Sequence, residues 1–289
     1  MRTRFAPSPT GPLHLGHAYS AMLAHDMARA AGGTFLLRIE DIDIARSRPE
    51  HEAAIFDDLA WLGLSWPVPV MRQSARLPAY RAAIDRLGAM GLTYLCRCTR
   101  RDIAEAFSAP QEGAGAPHPA GPDGVIYPGT CRARCGQRPG PEDAIRLDMA
   151  RAVRLPGILR GFEETGPAHA GQHALDPVAL VEGCGDIVLA RRDLGCSYHV
   201  AVVVDDAAQE ITHVVRGEDL FEATRIHIIL QMLLGLSSPI YHHHRLIRDA
   251  AGQRLAKRDD ARALARYRGE GATPESLRAD LGLGPVPAS

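Results

Sequence analysis

The sequence predicts an α/β fold, a doubly wound core with a parallel sheet, interrupted by an insertion and followed by a short helical C-terminal segment. Three observations predict it. The first forty residues alternate strand, Pro/Gly loop, helix and strand, the pattern of a βαβ unit. Regular apolar patterning resumes at Ile187 after a long interruption. Within that interruption, residues 110–141 contain 14 Gly or Pro in 32 positions, too many for a core of their own.

The elements follow in order. A short strand is expected at Arg4 to Ala6, a helix from about Gly16 to Ala31, and a strand at Thr34 to Ile39. Tyr19, Leu23 and Met27 fall at i, i+4 and i+8 on one helical face, and Gly32-Gly33 supplies the stop. Amphipathic helices follow at Glu50 to Leu62 and Leu77 to Leu87, then an apolar strand ending at Cys96. Beyond the insertion, Tyr198 to Val204 reads as a buried strand and Ile211 to Val215 as another. Glu222 to Leu234 reads as a helix with Ile226, Ile229, Leu230 and Leu233 inward. The division expected is 1–95 for the first half of the core, 96–186 for the insertion, 187–240 for the second half, and 241–289 for the C-terminal segment.

Composition bounds the function. With 289 residues, 46% apolar and 23% charged, the chain has the makings of an ordinary buried core and lies far from disordered compositions. The most apolar stretch, Ile226 to Leu236, is too short to span a bilayer, and the N-terminus lacks an apolar signal core, so no membrane partner is expected and the expected location is cytoplasmic. A net charge of −1 offers no global attraction for nucleic acid. Arg245 to Arg268, with eight basic and three acidic residues, is the local exception. Of 33 basic residues only Lys257 is a lysine, marking one place where this Arg-biased chain uses a compact ammonium.

Two constellations carry chemistry. His14-Leu15-Gly16-His17 lies where the first loop meets the first helix. A helix N-terminus attracts anions, Gly16 permits close approach of a phosphate or base, and two histidines at i and i+3 could donate to the same oxygens. Four cysteines, Cys96, Cys98, Cys131 and Cys135, bracket the Gly/Pro-rich stretch, an arrangement that favours a metal over a disulfide framework inside a cell. Thiolates suit zinc, and coordination chemistry alone would choose these four. His242-His243-His244 looks like a metal triplet, yet adjacent residues on a strand point different ways.

The run from Arg4 to His17, RFAPSPTGPLHLGH, resembles the N-terminus of the glutamyl-tRNA synthetase family, with HLGH as a form of the class I HIGH motif. Arg38-Ile39-Glu40-Asp41-Ile42-Asp43 resembles the family's RIEDTD, Tyr198 to Asp206 its YHLAxVVDD, and Arg216 to Leu220 its RGEDL. Arg254-Leu255-Ala256-Lys257-Arg258 resembles a degenerate KMSKS loop. The resemblance runs from Arg4 to about Asp260. It implies a Rossmann-type class I synthetase core that activates L-glutamate with ATP and Mg²⁺. His14, His17 and Lys257 would be the catalytic donors, and these three with Gly16 would bind ATP. Arg4, Ala6, Ser8, Glu40, Tyr198 and Arg216 would hold glutamate. Chemistry agrees, since Arg4 and Arg216 can each grip a carboxylate through two parallel bonds and Glu40 can hold an ammonium.

Three departures narrow the reading. The KMSKS-like loop keeps only Lys257 in an ammonium role, and the position four residues after Tyr198, commonly Asn in the family, is Val202. About thirty residues follow the loop, where the family continues into a helical anticodon-binding region. Together they resemble one branch, the glutamyl-queuosine tRNA(Asp) synthetases, which implies transfer of glutamate to queuosine in the anticodon arm of tRNA(Asp). That branch places CxC before the insertion and YxxxC within it, and so implies one structural Zn²⁺ on Cys96, Cys98, Tyr127 and Cys131. The competing readings are a short glutamyl-tRNA synthetase that charges a tRNA 3′ end, and a zinc-dependent RNA-binding module that has lost catalysis.

Overall fold

The computed structural model describes all residues except 109–119, 138–139, 141, 156, 158, 193–194, 249–262 and 288–289. In chain order its first half contains β1 (Arg2–Phe5), α1 (Leu15–Ala30), β2 (Thr34–Ile39), α2 (Pro49–Trp61), β3 (Met71–Arg72), α3 (Leu77–Ala89) and β4 (Thr93–Cys96). The insertion contributes α4 (Arg100–Ser108), β5 (Ala120–Gly121), β6 (Gly124–Val125), β7 (Ala144–Leu147), α5 (Met149–Ala152), β8 (Phe162–Glu164) and β9 (Gly171–His173). The remainder is β10 (Val188–Ala190), α6 (Tyr198–Ala208), β11 (His213–Gly217), α7 (Thr224–Leu234), β12 (Ile240–His244), α8 (Leu264–Gly269) and α9 (Pro274–Asp280).

β1, β2 and β3 run parallel in that order, with Arg4 opposite Leu36. β11, β12 and β8 form a second parallel set, edged by antiparallel β9. The two sets meet where the Thr212 N–H donates to the Arg2 carbonyl at 3.0 Å, so β1 lies between β2 and β11. This is the doubly wound arrangement expected, with its switch point at β1. A separate antiparallel sheet, in the order β10, β7, β4, roots the insertion. The 96–186 stretch nonetheless reaches back into the core, because Glu164 of β8 pairs with Tyr241 of β12.

One expectation needs correction. Tyr198 to Val204 is the first part of α6 and not a strand. Ser197 caps it, accepting from the Val200 N–H at 3.4 Å. His199, Val200, Ala201, Val202, Val203, Asp205 and Asp206 are all buried, so the apolar run reflects a helix covered on most sides, which periodicity cannot separate from a buried strand. In α1 the buried face is Ala18, Ala21, Met22, Ala24, His25 and Ala28, while Tyr19, Leu23 and Met27 are only half-buried. Small side chains let α1 lie close on the sheet, where the Thr3 hydroxyl donates to the Ala24 carbonyl at 2.8 Å.

The core has two parts. One gathers Tyr80 of α3, Val200 and Val203 of α6, and Ile226, Ile229, Leu230 and Leu233 of α7. The other joins α1, β1, β2 and α2 to Leu264, Leu277 and Leu281 near the C-terminus. The Arg278–Asp26 ion pair, at 2.5 Å, ties α9 to α1. Among the described residues no helix is long and apolar enough to cross a membrane.

Candidate active site and cysteine cluster

A cavity of about 340 Å³ opens at the carboxyl ends of β1, β2, β11 and β12, the place where open α/β sheets bind ligands. Arg4, Ala6, His14, Gly16, His17, Glu40, Tyr198 and Arg216 all line it, residues that the sequence scatters over more than two hundred positions. Ser8 is half-buried and is not among the lining residues. Lys257 and the rest of Arg254 to Arg258 lie outside the described residues.

His14 caps α1. Its Nδ1 accepts from the Gly16 N–H at 3.1 Å, and its own backbone N–H donates to His17 Nδ1 at 3.2 Å. The two rings stack with centroids 3.8 Å apart. Because both Nδ1 atoms accept, each neutral ring carries its proton on Nε2, which makes both rings donors at the start of a helix. A Cβ at position 16 would stand 3.0 Å from His14 Cε1, so a side chain there would press the His14 ring outward by a few tenths of an ångström.

Arg4 occupies a buried ion network. Its Nε and Nη2 donate to the two oxygens of Asp206 at 3.0 and 3.3 Å, and Arg38 Nη1 donates to Asp206 Oδ1 at 2.8 Å. The parallel-bond geometry expected toward a substrate is thus spent on Asp206, and a ligand meets the remaining Nη hydrogens. Arg38 Nη2 stands 3.5 Å from Glu40 Oε1. Burial pushes the Glu40 carboxyl up to about 6, against the opposing pull of Arg38 and Arg4. Burial also raises the Tyr198 phenol, so it faces the cavity as a neutral hydroxyl.

Arg216, at the end of β11, is buried and donates to His243 Nε2 at 3.0 Å, His227 Nδ1 at 3.0 Å, Thr224 Oγ1 at 2.8 Å and the Leu220 carbonyl at 3.2 Å. The three consecutive histidines of β12 do take separate partners. His242 bonds Thr165, His243 lies between Glu164 and Arg216, and His244 lines the cavity with its ring edge against Tyr19.

The cysteine cluster forms at the root of the insertion. The sulfurs of Cys96, Cys98 and Cys131 lie within 4.8 Å of one another. Cys98 Sγ is 3.5 Å from Cys131 Sγ and 3.3 Å from the Tyr127 hydroxyl, which also accepts the Cys131 N–H at 3.0 Å. A tetrahedral zinc with bonds near 2.3 Å has ligand-to-ligand edges of roughly 3.8 Å, so three sulfurs and the phenol fit one ion. Cys135 instead accepts from Arg151 at 3.4 Å and is not in the group. Cys184 and Cys196 are buried in the main core and are not part of this group.

The family "tRNA synthetases class I (E and Q), catalytic domain" matches residues 1–286. The chain is 63% identical to the "Glutamyl-Q tRNA(Asp) synthetase" of Rhodobacter capsulatus, over 98% of this chain and 100% of that protein. A protein of the same name from Geobacter sulfurreducens is 42% identical, over 91% of this chain and 77% of its own length. The chain belongs to the glutamyl-Q tRNA(Asp) synthetase family. Among solved structures, a glutamate tRNA ligase from Elizabethkingia meningosepticum in complex with its amino acid superposes with a TM-score of 0.74 at 28% identity. That match covers 97% of this chain, which spans 60% of the length of the ligase.

Behind the arginines of the pocket stand groups that do not line it and that sequence reasoning missed. Arg38 is one, on the same face at the end of β2 as the expected site residue Glu40 two positions on, which the period of two could have shown. Asp206 closes the VVDD run, yet its pairing with Arg4 becomes visible only once α6 is known to be a helix. Glu164 and His227 carry no motif, and His243 stood out only as the middle of the histidine triplet.

Proposed function

We propose that this chain joins L-glutamate to ATP as glutamyl adenylate and passes the glutamyl group to queuosine in the anticodon of tRNA(Asp). The observation that carries the reading is one small cavity lined by two guanidinium groups, Arg4 and Arg216, two carboxylates, Glu40 and Asp219, and two imidazoles at a helix N-terminus. Glutamate offers two carboxylates and an ammonium, the complementary set. In the first step a carboxylate oxygen of glutamate bonds to the α-phosphorus of ATP and pyrophosphate leaves. His14 and His17 donate to the phosphate oxygens as charge grows there, and Lys257 adds an ammonium from the KMSKS-like loop. Mg²⁺ bound to ATP supplies further positive charge. Ala6 and Ser8 belong to the same glutamate-binding run, and Tyr198 walls the cavity. In the second step a hydroxyl of the queuosine ring bonds to the acyl carbon, and AMP leaves.

A larger cavity of about 970 Å³ between the insertion and the core supports an RNA partner. Arg100, Arg146, Arg191 and Arg192 line it, and Tyr198 borders both cavities, so phosphates held in the larger one would lie beside the adenylate. One zinc on Cys96, Cys98, Tyr127 and Cys131 would hold the insertion that forms the far wall. This assigns 1–95 and 187–240 to the catalytic core, 96–186 to the insertion and 241–289 to the ATP loop and C-terminal segment, in a cytoplasmic enzyme. An anticodon stem-loop carrying queuosine tests the proposal directly. Labelled glutamate is expected to join it, and not the same RNA with guanosine at that position. Glutamate on the 3′ adenosine of tRNA(Glu) would favour the aminoacylating reading that the ligase structures suggest, and no pyrophosphate exchange at all would favour a module without catalysis.

A further inference from the structure

Arg216 is gripped by a series of imidazoles to which the chemistry above assigns no role. Its Nε–H donates to His243 Nε2 and an Nη1–H to His227 Nδ1. A guanidinium only donates, so both ring nitrogens are acceptors and each neutral ring carries its proton on the opposite nitrogen. The outer partners agree. His243 Nδ1 hydrogen-bonds the Glu164 carboxylate. His227 Nε2 lies 3.1 Å from His199 Nδ1, and His199 Nε2 lies 3.2 Å from Asp123 Oδ1. Every proton from Arg216 outward therefore has an acceptor, and the two branches end on carboxylates, one buried in the core sheet and one bordering the larger cavity.

The Glu164 end is rigid. Its Oε1 accepts the His243 N–H at 2.9 Å and the Gly166 N–H at 2.5 Å. A Cβ at position 166 would stand 2.1 Å from the His243 carbonyl oxygen, so only glycine completes this turn. Burial, and the nearby Arg216 charge, hold both His227 and His243 below the usual histidine range, which keeps the rings neutral. Thr224 and the Leu220 carbonyl take the Nη2 hydrogens. Four of the five N–H donors of Arg216 are thus engaged in the described hydrogen bonds, leaving one Nη1–H in a fixed direction for a ligand.

We infer that this imidazole relay sets the orientation of Arg216, making Glu164, His243 and His227 positioning residues for recognition of the amino acid. The inference rests on the reading that Arg216 holds a substrate carboxylate. Glu164→Gln tests it with an isosteric change. The two backbone N–H groups keep the amide oxygen at the Oε1 position, so the NH2 faces His243 Nδ1 and drives the ring proton to Nε2, donor against donor with Arg216. In pyrophosphate exchange the KM for glutamate should rise about tenfold or more while the KM for ATP stays within about twofold. Nitrogen-15 NMR of the variant should show the His243 tautomer inverted. A second pair covers the case in which Glu164→Gln does not fold. His227→Leu removes the acceptor and should raise the glutamate KM, whereas His227→Asn keeps an oxygen near the Nδ1 position and should recover most of it. Equal glutamate KM in those two variants, or glutamate and ATP KM rising together, overturns the relay. Arg216→Gln separates the two levels. An unchanged glutamate KM there removes the carboxylate reading, whereas a defect there with none in Glu164→Gln or His227→Leu removes the relay alone.

Discussion

The proposed glutamate pocket and the cysteine cluster solve the burial of polar groups in opposite ways. In the pocket Arg4 and Arg38 are matched by a charge from a distant element, Arg4 to Asp206 across 202 positions and Arg38 to Asp206 across 168, and Arg216 is held by neutral groups of β12 and α7. In the cluster the partners are 29 and 33 positions apart, and three thiols and a phenol converge, with the Arg146 guanidinium stacked on the face of the Tyr127 ring 3.9 Å from its centroid. The first is ordered by the fold, because strand ends and helix caps deliver each group already paired. The second brings together only groups that become strong ligands on losing protons, so its order depends on an added positive charge.

That contrast breaks most visibly on activity without stability. Lys257→Ala should lower adenylate formation by roughly two to three orders of magnitude, the scale for one preorganised donor, with thermal unfolding unchanged. A loss under about threefold would remove Lys257 from the chemistry. Stripping metal with a chelator should do the reverse. Amide exchange should speed up through residues 96–147 while β1, β2 and β11 keep their protection, and uniform deprotection would show that the two regions are not separately ordered. Within the cluster, Tyr127→Phe should weaken zinc by more than the roughly 10–100-fold that an outer partner costs, and Cys135→Ser should leave it bound. Zinc lost only in Cys135→Ser would reverse the ligand assignment.

The difference between the regions also explains what the sequence could reveal. The βαβ start, β2 at Thr34–Ile39 and the inward face of α7 were legible because their periodicity is local. The cluster was legible for the same reason, its CxC and YxxxC spacings being short, although chemistry alone preferred Cys135 and only resemblance pointed to Tyr127. Arg4, Glu40 and Arg216 were reachable because each lies inside an ordered motif. Asp206 and the imidazoles behind Arg216 were not, since their roles depend on contacts across sheets and on α6 being a helix where an apolar, β-branched run suggested a strand. Glu164 shows the limit most plainly. It lies in the insertion by sequence and in the core sheet by structure, and no local pattern indicates that β8 crosses over to pair with β12.

The smallest expected effect concerns Glu40 and confines the comparison to the pocket. Burial raises its carboxyl to about 6, with Arg38 and Arg4 pulling the other way. An ionised Glu40 can pair with the substrate ammonium, and a protonated one cannot. The substrate amine stays charged and its carboxylates stay ionised through this range, so the free enzyme's Glu40 governs binding. As pH falls through about 6 the proton goes on, the pairing is lost and the glutamate KM should rise, by about tenfold between pH 7 and pH 5 for a single group of that pKa. Glu40→Gln should show the high KM at every pH and no break. The same profile run after zinc removal separates the regions, because a pocket ordered by the fold keeps its break near pH 6 when the cluster is empty. A KM for glutamate that stays flat from pH 7 to pH 5 would mean that Glu40 does not hold the ammonium, and Asp219, the other carboxylate lining the cavity, would be the next candidate.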